Sequence, residues 1–392
     1  MKRVLVLDAS QRSALAATRS LGRRGIPLFT ADEISTSLAG CSRFSLQHLT
    51  YPSPRLHPDR FVSAIAETCG MHRIGIVLPM TELTTTLLLA HRGNLPDIVI
   101  PFADAATVAS LSDKCSLMRQ AESLGIPVPR TWFVDNPAAL PVGLDSLPYP
   151  IVLKPGKSWI CNDHGWFRAG VRYADNQLQA ASILQQDGAF QSHPFMLQEY
   201  VAGTGQGLFA LYDHGKALAF FAHRRIREKP PRGGVSVLSE SVPIDPDLLS
   251  HARLLLDSAV WHGIAMVEFK VAGDGTPYLM EINTRFWGSL QLAIDAGVDF
   301  PYLLYQLACG EHPEPVSHYK TGIRLRWLLG DLDSLYLALK DRQLFSPGEK
   351  LATILRFLLP DPFRTAHEVN RWHDLGPFWC ELRQYLRDLS GP

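Results

Sequence analysis

The sequence predicts an α/β protein with a parallel sheet at its N-terminus, a strand-rich centre and a helical end. Two observations carry this. Over roughly the first hundred residues, short apolar runs alternate with helical stretches, the pattern of parallel βαβ units. Further on, Asp274-Gly275 lies between two apolar runs, the signal of an antiparallel hairpin. Beyond Pro315 the chain turns helical and Trp-rich, with Trp327, Trp372 and Trp379.

The elements follow in order. Val4-Leu5-Val6-Leu7 reads as the first strand, and residues 13–21 as a helix ended by Gly22 or Gly25. Ile26-Pro27-Leu28-Phe29, residues 74–78 and Ile98-Val99-Ile100 read as further strands. The first turn, Asp8 to Ser13, has no G-x-G-x-x-G, which argues against a dinucleotide site there. Ser112-Asp113-Lys114 opens a helix closed by Gly125 and Pro127. Residues 148–155 and 195–201 read as strands flanking a polar region.

The chain has 392 residues, which suggests two or three packed units at about 150 residues each. Lys plus Arg and Asp plus Glu both number 38, so bulk charge supplies no reason to bind nucleic acid or a membrane surface. Hydrophobic residues make up 46%, enough for a large core. No apolar run approaches the ~20 residues that span a bilayer, and Asp8 interrupts the first one too early for a secretory leader. The six cysteines are scattered with no CxxC pair, which fits reduced thiols and a cytoplasmic location. His91, His164 and His262 show no metal-ligand spacing.

The hairpin holds the chemistry. With Asp274-Gly275 as a two-residue turn, Glu268 falls opposite Glu281, and Asn283 shares the face of Glu281. Opposed carboxylates repel. A solvated face tolerates that, but Met, Leu, Val and Ile flank both residues and favour a packed one. Magnesium would resolve the repulsion, taking two carboxylates and an amide oxygen as hard ligands. Arg285 adds a cation beside them.

Glu268, followed by Glu281-Ile282-Asn283-Thr284-Arg285, resembles the ATP-grasp superfamily, which carries a Glu on one strand and E-x-N-x-R on the next. The resemblance is best to carboxylate–amine ligases of the group described as predicted ATP-dependent carboligases. It implies an ATP-grasp fold: a Rossmann-like pre-ATP-grasp domain (1–103), a linker helix and small lobe (104–200), a large lobe with the Mg site (201–315), and a helical extension (316–392). Glu268, Glu281 and Asn283 would hold Mg2+, with Mn2+ as a substitute, and Arg285 would assist the transferred phosphate. Lys114, at a helix start suited to phosphate, and Lys154, ending a strand, correspond to the family's two phosphate lysines. Glu199 and the backbone at Val201 would take the adenine edge, with Gln206 as a guess for the ribose.

Position alone recommends Arg225 and Arg227. If extended, they share a face and could hold a substrate carboxylate, with Gly233-Gly234 letting their loop close. Thr81-Glu82 reads equally well as a helix cap pair. The implied reaction uses ATP to turn a carboxylate into an acyl-phosphate and joins it to an amine, releasing ADP and phosphate. The expected partners are small-molecule acid and amine substrates and, as is common among similar enzymes, a second copy of the chain. Two other readings compete: carboxylation with bicarbonate, as in biotin carboxylase, and a non-catalytic ATP sensor.

Overall fold

A computed structural model of the chain describes residues 1–163, 165–231, 234–341, 346–359 and 364–390. Gly233 and His164 lie outside the described residues.

The N-terminal sheet is parallel, with strands in the order His48–Thr50, Leu28–Asp32, Arg3–Val6, Ile74–Leu78. Its central strands are apolar on both faces because helices cover both. Val4, Leu5, Val6, Ile76, Val77 and Leu78 are fully buried. The expected strand at 98–100 contributes only one bridge, Ile76 to Val99. At the carboxyl end of the first strand, buried Asp8 accepts hydrogen bonds from Met80 N and Thr81 N (both 2.9 Å) and from Thr84 Oγ1 (2.6 Å). Thr81 caps the helix Glu82–Ala90 through Thr84 N, as the cap reading expects.

The small antiparallel sheet runs Thr131–Val134, Phe195–Glu199, Ile151–Pro155, Arg172–Ala174, and buries Leu153, Phe190, Phe195 and Leu197 beneath it. The segment after Lys154 folds into a ribbon, Trp159–Asn162 against Gly165–Arg168. Its second strand meets the N-terminal part of the chain, where Trp166 N donates to Arg55 O at 2.9 Å. The helix Lys114–Ser123, grouped by sequence with the small lobe, packs instead on the large sheet. Its Leu117, Met118 and Ala121 share a core with Val267, Leu279 and Ile282.

The large sheet has seven strands in the order Pro277–Asn283, Gly263–Ala272, Gly203–Asp213, Lys216–Lys229, Val235–Ser241, Arg324–Arg326, Thr365–His367. The last two come from the C-terminal extension, so that region continues the sheet as well as adding the helices Leu328–Lys340, Pro347–Leu358 and Gly376–Ser390. It also ties the ends of the chain together. Buried Arg19 donates from Nε to Asp374 Oδ2 (2.8 Å) and from Nη1 and Nη2 to the carbonyls of Glu368 and Val369 (both 2.8 Å).

The chain passes between the small and large sheets at two adjacent points. Glu199 N donates to Arg130 O, and Arg130 N donates to the Glu199 carboxylate, both at 3.0 Å.

Candidate active site

The hairpin pairs Glu268 with Glu281, but not by the turn the sequence suggests. Ala272 N donates to Thr276 O and Gly275 N to Ala272 O, each at 3.0 Å, so the loop is Gly273-Asp274-Gly275. Gly275 sits at φ +90°, a conformation that glycine adopts without strain. This three-residue loop sets Phe269 opposite Leu279 and would leave Glu268 facing Met280. A β-bulge then leaves Met280 unpaired and moves the register by one, giving Glu268–Glu281, Val267–Ile282 and Met266–Asn283. The two one-residue shifts cancel. Met280, Glu281 and Asn283 all fall on the less buried face, while Leu279 and Ile282 point into the core.

Cations surround the opposed carboxylates. Glu281 Oε2 lies 3.3 Å from Lys114 Nζ, and Glu268 Oε2 accepts from Arg225 Nη2 at 2.6 Å. Asn283 Nδ2 bridges the pair, 3.1 Å from an oxygen of each. Burial opposes ionisation of both, yet they titrate in opposite directions. For Glu281 burial is outweighed by Lys114, by the Asn283 hydrogen bond and by Lys154, which hold the carboxyl below its ordinary range. For Glu268 burial prevails over Arg225 and is reinforced by the charge of Glu281, so its pKa is raised. Arg225 in turn is held above its usual value, chiefly by Glu268.

Both lysines arrive by local geometry. Gly156 follows the Lys154 strand and lies against the start of the helix Lys114–Ser123. Its carbonyl accepts from Lys114 N at 2.7 Å, and a Cβ there would sit 3.3 Å from the Pro194 carbonyl. Asp113 caps that helix through Ser116 N. Lys114 Nζ also donates to Ser158 Oγ at 3.0 Å. Burial opposes its charge, but Glu281 and Glu82 more than offset it and raise its pKa. Glu82 is thus both the first residue of its helix and a charge beside the site. Lys154 is buried with Nζ 3.8 Å from Met280 Sδ; burial pushes it down to about 8 despite Glu281. Thr284 Oγ1 and Ser112 Oγ, 2.7 Å apart, fix the strand exit that carries Arg285, whose Nη1 donates to Phe286 O.

Arg225 and Arg227 do not share a face. A bulge between them sends the two side chains apart. Arg225 reaches Glu268, Glu228 and the Gly234 carbonyl. Arg227 instead makes two bonds to Asp331 of the extension, 2.7 and 2.6 Å, and Asp331 also accepts from Arg326 Nε at 2.6 Å. Extended backbone was the premise of the shared face, and the irregularity at Ile226 removes it.

Glu199 and Val201 lie at the crossing between the two sheets, with the Glu199 carboxylate engaged by Arg130 N. Gln206 stands inside the large sheet opposite Phe269 and Arg224. Cys115 is a packed thiol that burial pushes up to about 12. Sequence reasoning missed Met280, Ser158 and the proximity of Glu82. Only the run of two half-buried positions at Met280 and Glu281 marks the bulge, and that is a property of the fold.

The chemistry of the donor set suits a hard divalent cation. Two carboxylates in direct opposition, one of them pushed toward neutrality by burial and then by the charge of the other, are the arrangement that such an ion relieves. Flipping the Asn283 amide would present its oxygen to the same point.

The chain is similar to several known proteins. Residues 191–330 match a family described as ATP-grasp in the biosynthetic pathway with Ter operon. A D-alanine–D-alanine ligase from Anaeromyxobacter sp. (strain K) is 25% identical over 237 residues, covering 56% of this chain and 74% of that protein. Among solved structures, a biotin carboxylase from Campylobacter jejuni aligns with a TM-score of 0.65 at 14% identity, over 83% of this chain and 74% of its own. An L-amino acid ligase from Bacillus licheniformis aligns with a TM-score of 0.59 at 16% identity, over 81% and 75%.

Proposed function

We propose that this chain, an ATP-grasp protein, is an ATP-dependent ligase that activates a carboxylate as an acyl-phosphate and joins it to an amine. The observation that carries this reading is the convergence of Lys114, Lys154 and Arg225 on the Glu268–Glu281–Asn283 patch. The domain division at residues 103, 200 and 315 and the site roles below belong to the same proposal.

Glu268, Glu281 and Asn283 would hold Mg2+, which supplies charge neutralisation between nucleotide phosphates. A substrate carboxylate oxygen attacks the γ-phosphorus of ATP and the bond to the β-phosphate oxygen breaks, releasing ADP. The amine nitrogen then attacks the acyl carbon, the C–O bond to phosphate breaks, and the nitrogen loses a proton to solvent. Lys114 and Lys154 bind phosphate oxygens as their charge grows. Arg285 stands beside Glu281 at the strand exit and serves the transferred group. Arg225, already aligned by Glu268, orients the carboxylate. Arg227, engaged by Asp331, holds the extension in place. The backbone at 199–201 takes the adenine edge.

The experiment is release of ADP and phosphate from Mg-ATP, screened over paired carboxylates and amines, with Glu281→Ala as the blank. Turnover that needs both an acid and an amine supports the ligase. Turnover with bicarbonate and no amine would replace it by a carboxylase, and tight ATP binding without turnover on any pair would replace it by a sensor. AMP and pyrophosphate as products would exclude the acyl-phosphate route.

A further inference from the structure

The strand that carries Glu268 begins at Gly263, and the residue before it, His262, lies six positions from Glu268, roughly 20 Å along the strand. At this far end of the sheet His262 meets the turn between the strands Gly203–Asp213 and Lys216–Lys229. Asp213 pairs with Lys216, leaving His214 and Gly215 as a two-residue turn with φ +45° and +83°. Such a turn favours Asn-Gly or Gly-Gly. Histidine is among the few non-glycine residues that enter this region readily, and it places its ring at the tip of the turn.

The three side chains form one cluster. Asp213 Oδ1 lies 2.8 Å from His214 Nδ1 and 3.5 Å from His262 Nδ1. The imidazoles stack with centroids 4.0 Å apart, and one ligand atom from each residue falls within 4.8 Å of the other two. His262 Nδ1 is buried with no well-formed hydrogen bond among the described residues; its nearest polar contact is Asp213 Oδ1 at 3.5 Å. A lone pair or N–H left so is destabilising, and a coordinated cation would satisfy it. A cleft of about 400 Å³ opens beside the cluster and is lined also by Cys309, Glu311 and His312.

We propose that Asp213, His214 and His262 bind a divalent transition-metal ion of the zinc class, separate from the nucleotide site. Two imidazoles and one carboxylate select such an ion over magnesium. Three protein ligands leave one tetrahedral position facing the cleft, open to water or to His312. Bond lengths of about 2.0–2.2 Å draw the ligand atoms closer than they now stand, and the exposed His214 ring moves most easily. The ion pins the hairpin turn to the entry of the strand that carries Glu268.

The test uses the full chain, stripped of metal with EDTA, dialysed, and titrated with zinc chloride by calorimetry in excess magnesium and without ATP. One zinc per chain is expected, weakened at least about tenfold by His214→Ala and by His262→Ala and unchanged by Glu281→Ala. Cobalt should give tetrahedral visible bands that His214→Ala abolishes. His214→Ala keeps the proposal testable if the variant at the half-buried His262 fails to fold, because the His214 side chain is 76% exposed. Absence of saturable binding, binding indifferent to both histidine variants, or binding lost only in Glu281→Ala would each overturn it.

Discussion

Glu268 and Glu281 face each other because Met280 drops out of the strand pairing between them. The bulge turns two consecutive side chains to the same face, so Met280 meets Lys154 while Glu281 meets Lys114. Hairpin register and lysine placement are therefore one structural decision.

Removing the negative charge at Glu281 should separate catalysis from folding. Glu281→Gln keeps the shape, giving up the ion pair with Lys114 as it relieves the repulsion with Glu268, so the protein should fold with a modest loss of stability while ADP release falls by about a hundredfold or more. Magnesium at a hundred times its dissociation constant should stabilise the parent by about 2.7 kcal/mol. The variant should lose most of that gain, read as the magnesium-dependent shift in thermal unfolding. Equal shifts in both proteins would place the ion elsewhere.

Lys154 gives a pH dependence with a definite sign. Its pKa in the folded, nucleotide-free protein is about 8, below its ordinary value, because burial disfavours the charge. Phosphate favours the protonated form, so ATP affinity should be flat below pH 8 and fall by up to about tenfold per unit above it. Lys154→Arg stays charged and should flatten the profile. For stability the sign reverses: the unfolded chain binds the extra proton between pH 8 and the ordinary lysine value, so this group's contribution to stability rises with pH across that window.

The two arginines should part company. Arg225→Ala should lower turnover strongly. Arg227→Ala should act first on stability, costing about 1.5–3 kcal/mol for hydrogen bonds to a charged partner, because Asp331 is 1% exposed and, among the described residues, keeps only Arg326 as a cationic partner. Urea unfolding beside ADP release distinguishes them. An Arg227 variant of normal stability and no activity would return that residue to the chemistry.

Asp374→Ala should be among the most damaging single changes in the extension. Arg19 and Asp374 are each 1% exposed, and removing the acid strands a buried guanidinium at a cost of about 3–5 kcal/mol. Asp374→Asn, which keeps an acceptor, should cost less. Chemical denaturation of both variants measures the difference.

The sequence carried the parallel sheet, the capped helix at Lys114 and the Glu pair, since strand alternation, Asp113 and the apolar flanks are local signals. The loop was read one residue too short. The pairing at Glu268 still came out as expected, because a bulge with no signature of its own supplied the missing shift. What stayed illegible was long-range polar pairing. Nothing local to Arg227 points to a partner a hundred residues on, nothing near Arg19 points to Asp374, and His262 has no ligand pattern until folding brings the His214 turn beside it. Polar partners lack the periodicity that betrays an apolar face.

The adjoining crossings at Arg130 and Glu199 are tied to each other. Their two bonds continue the register in which Gln198 pairs with Thr131, so both crossings belong to the ladder of the small sheet. The same strand pairs Met196 with Lys154, roughly 10 Å from Glu199. Any displacement of the small sheet therefore carries Glu199 and Lys154 together, like two handles on one door, and the Trp166–Arg55 bond is a contact it would have to give up.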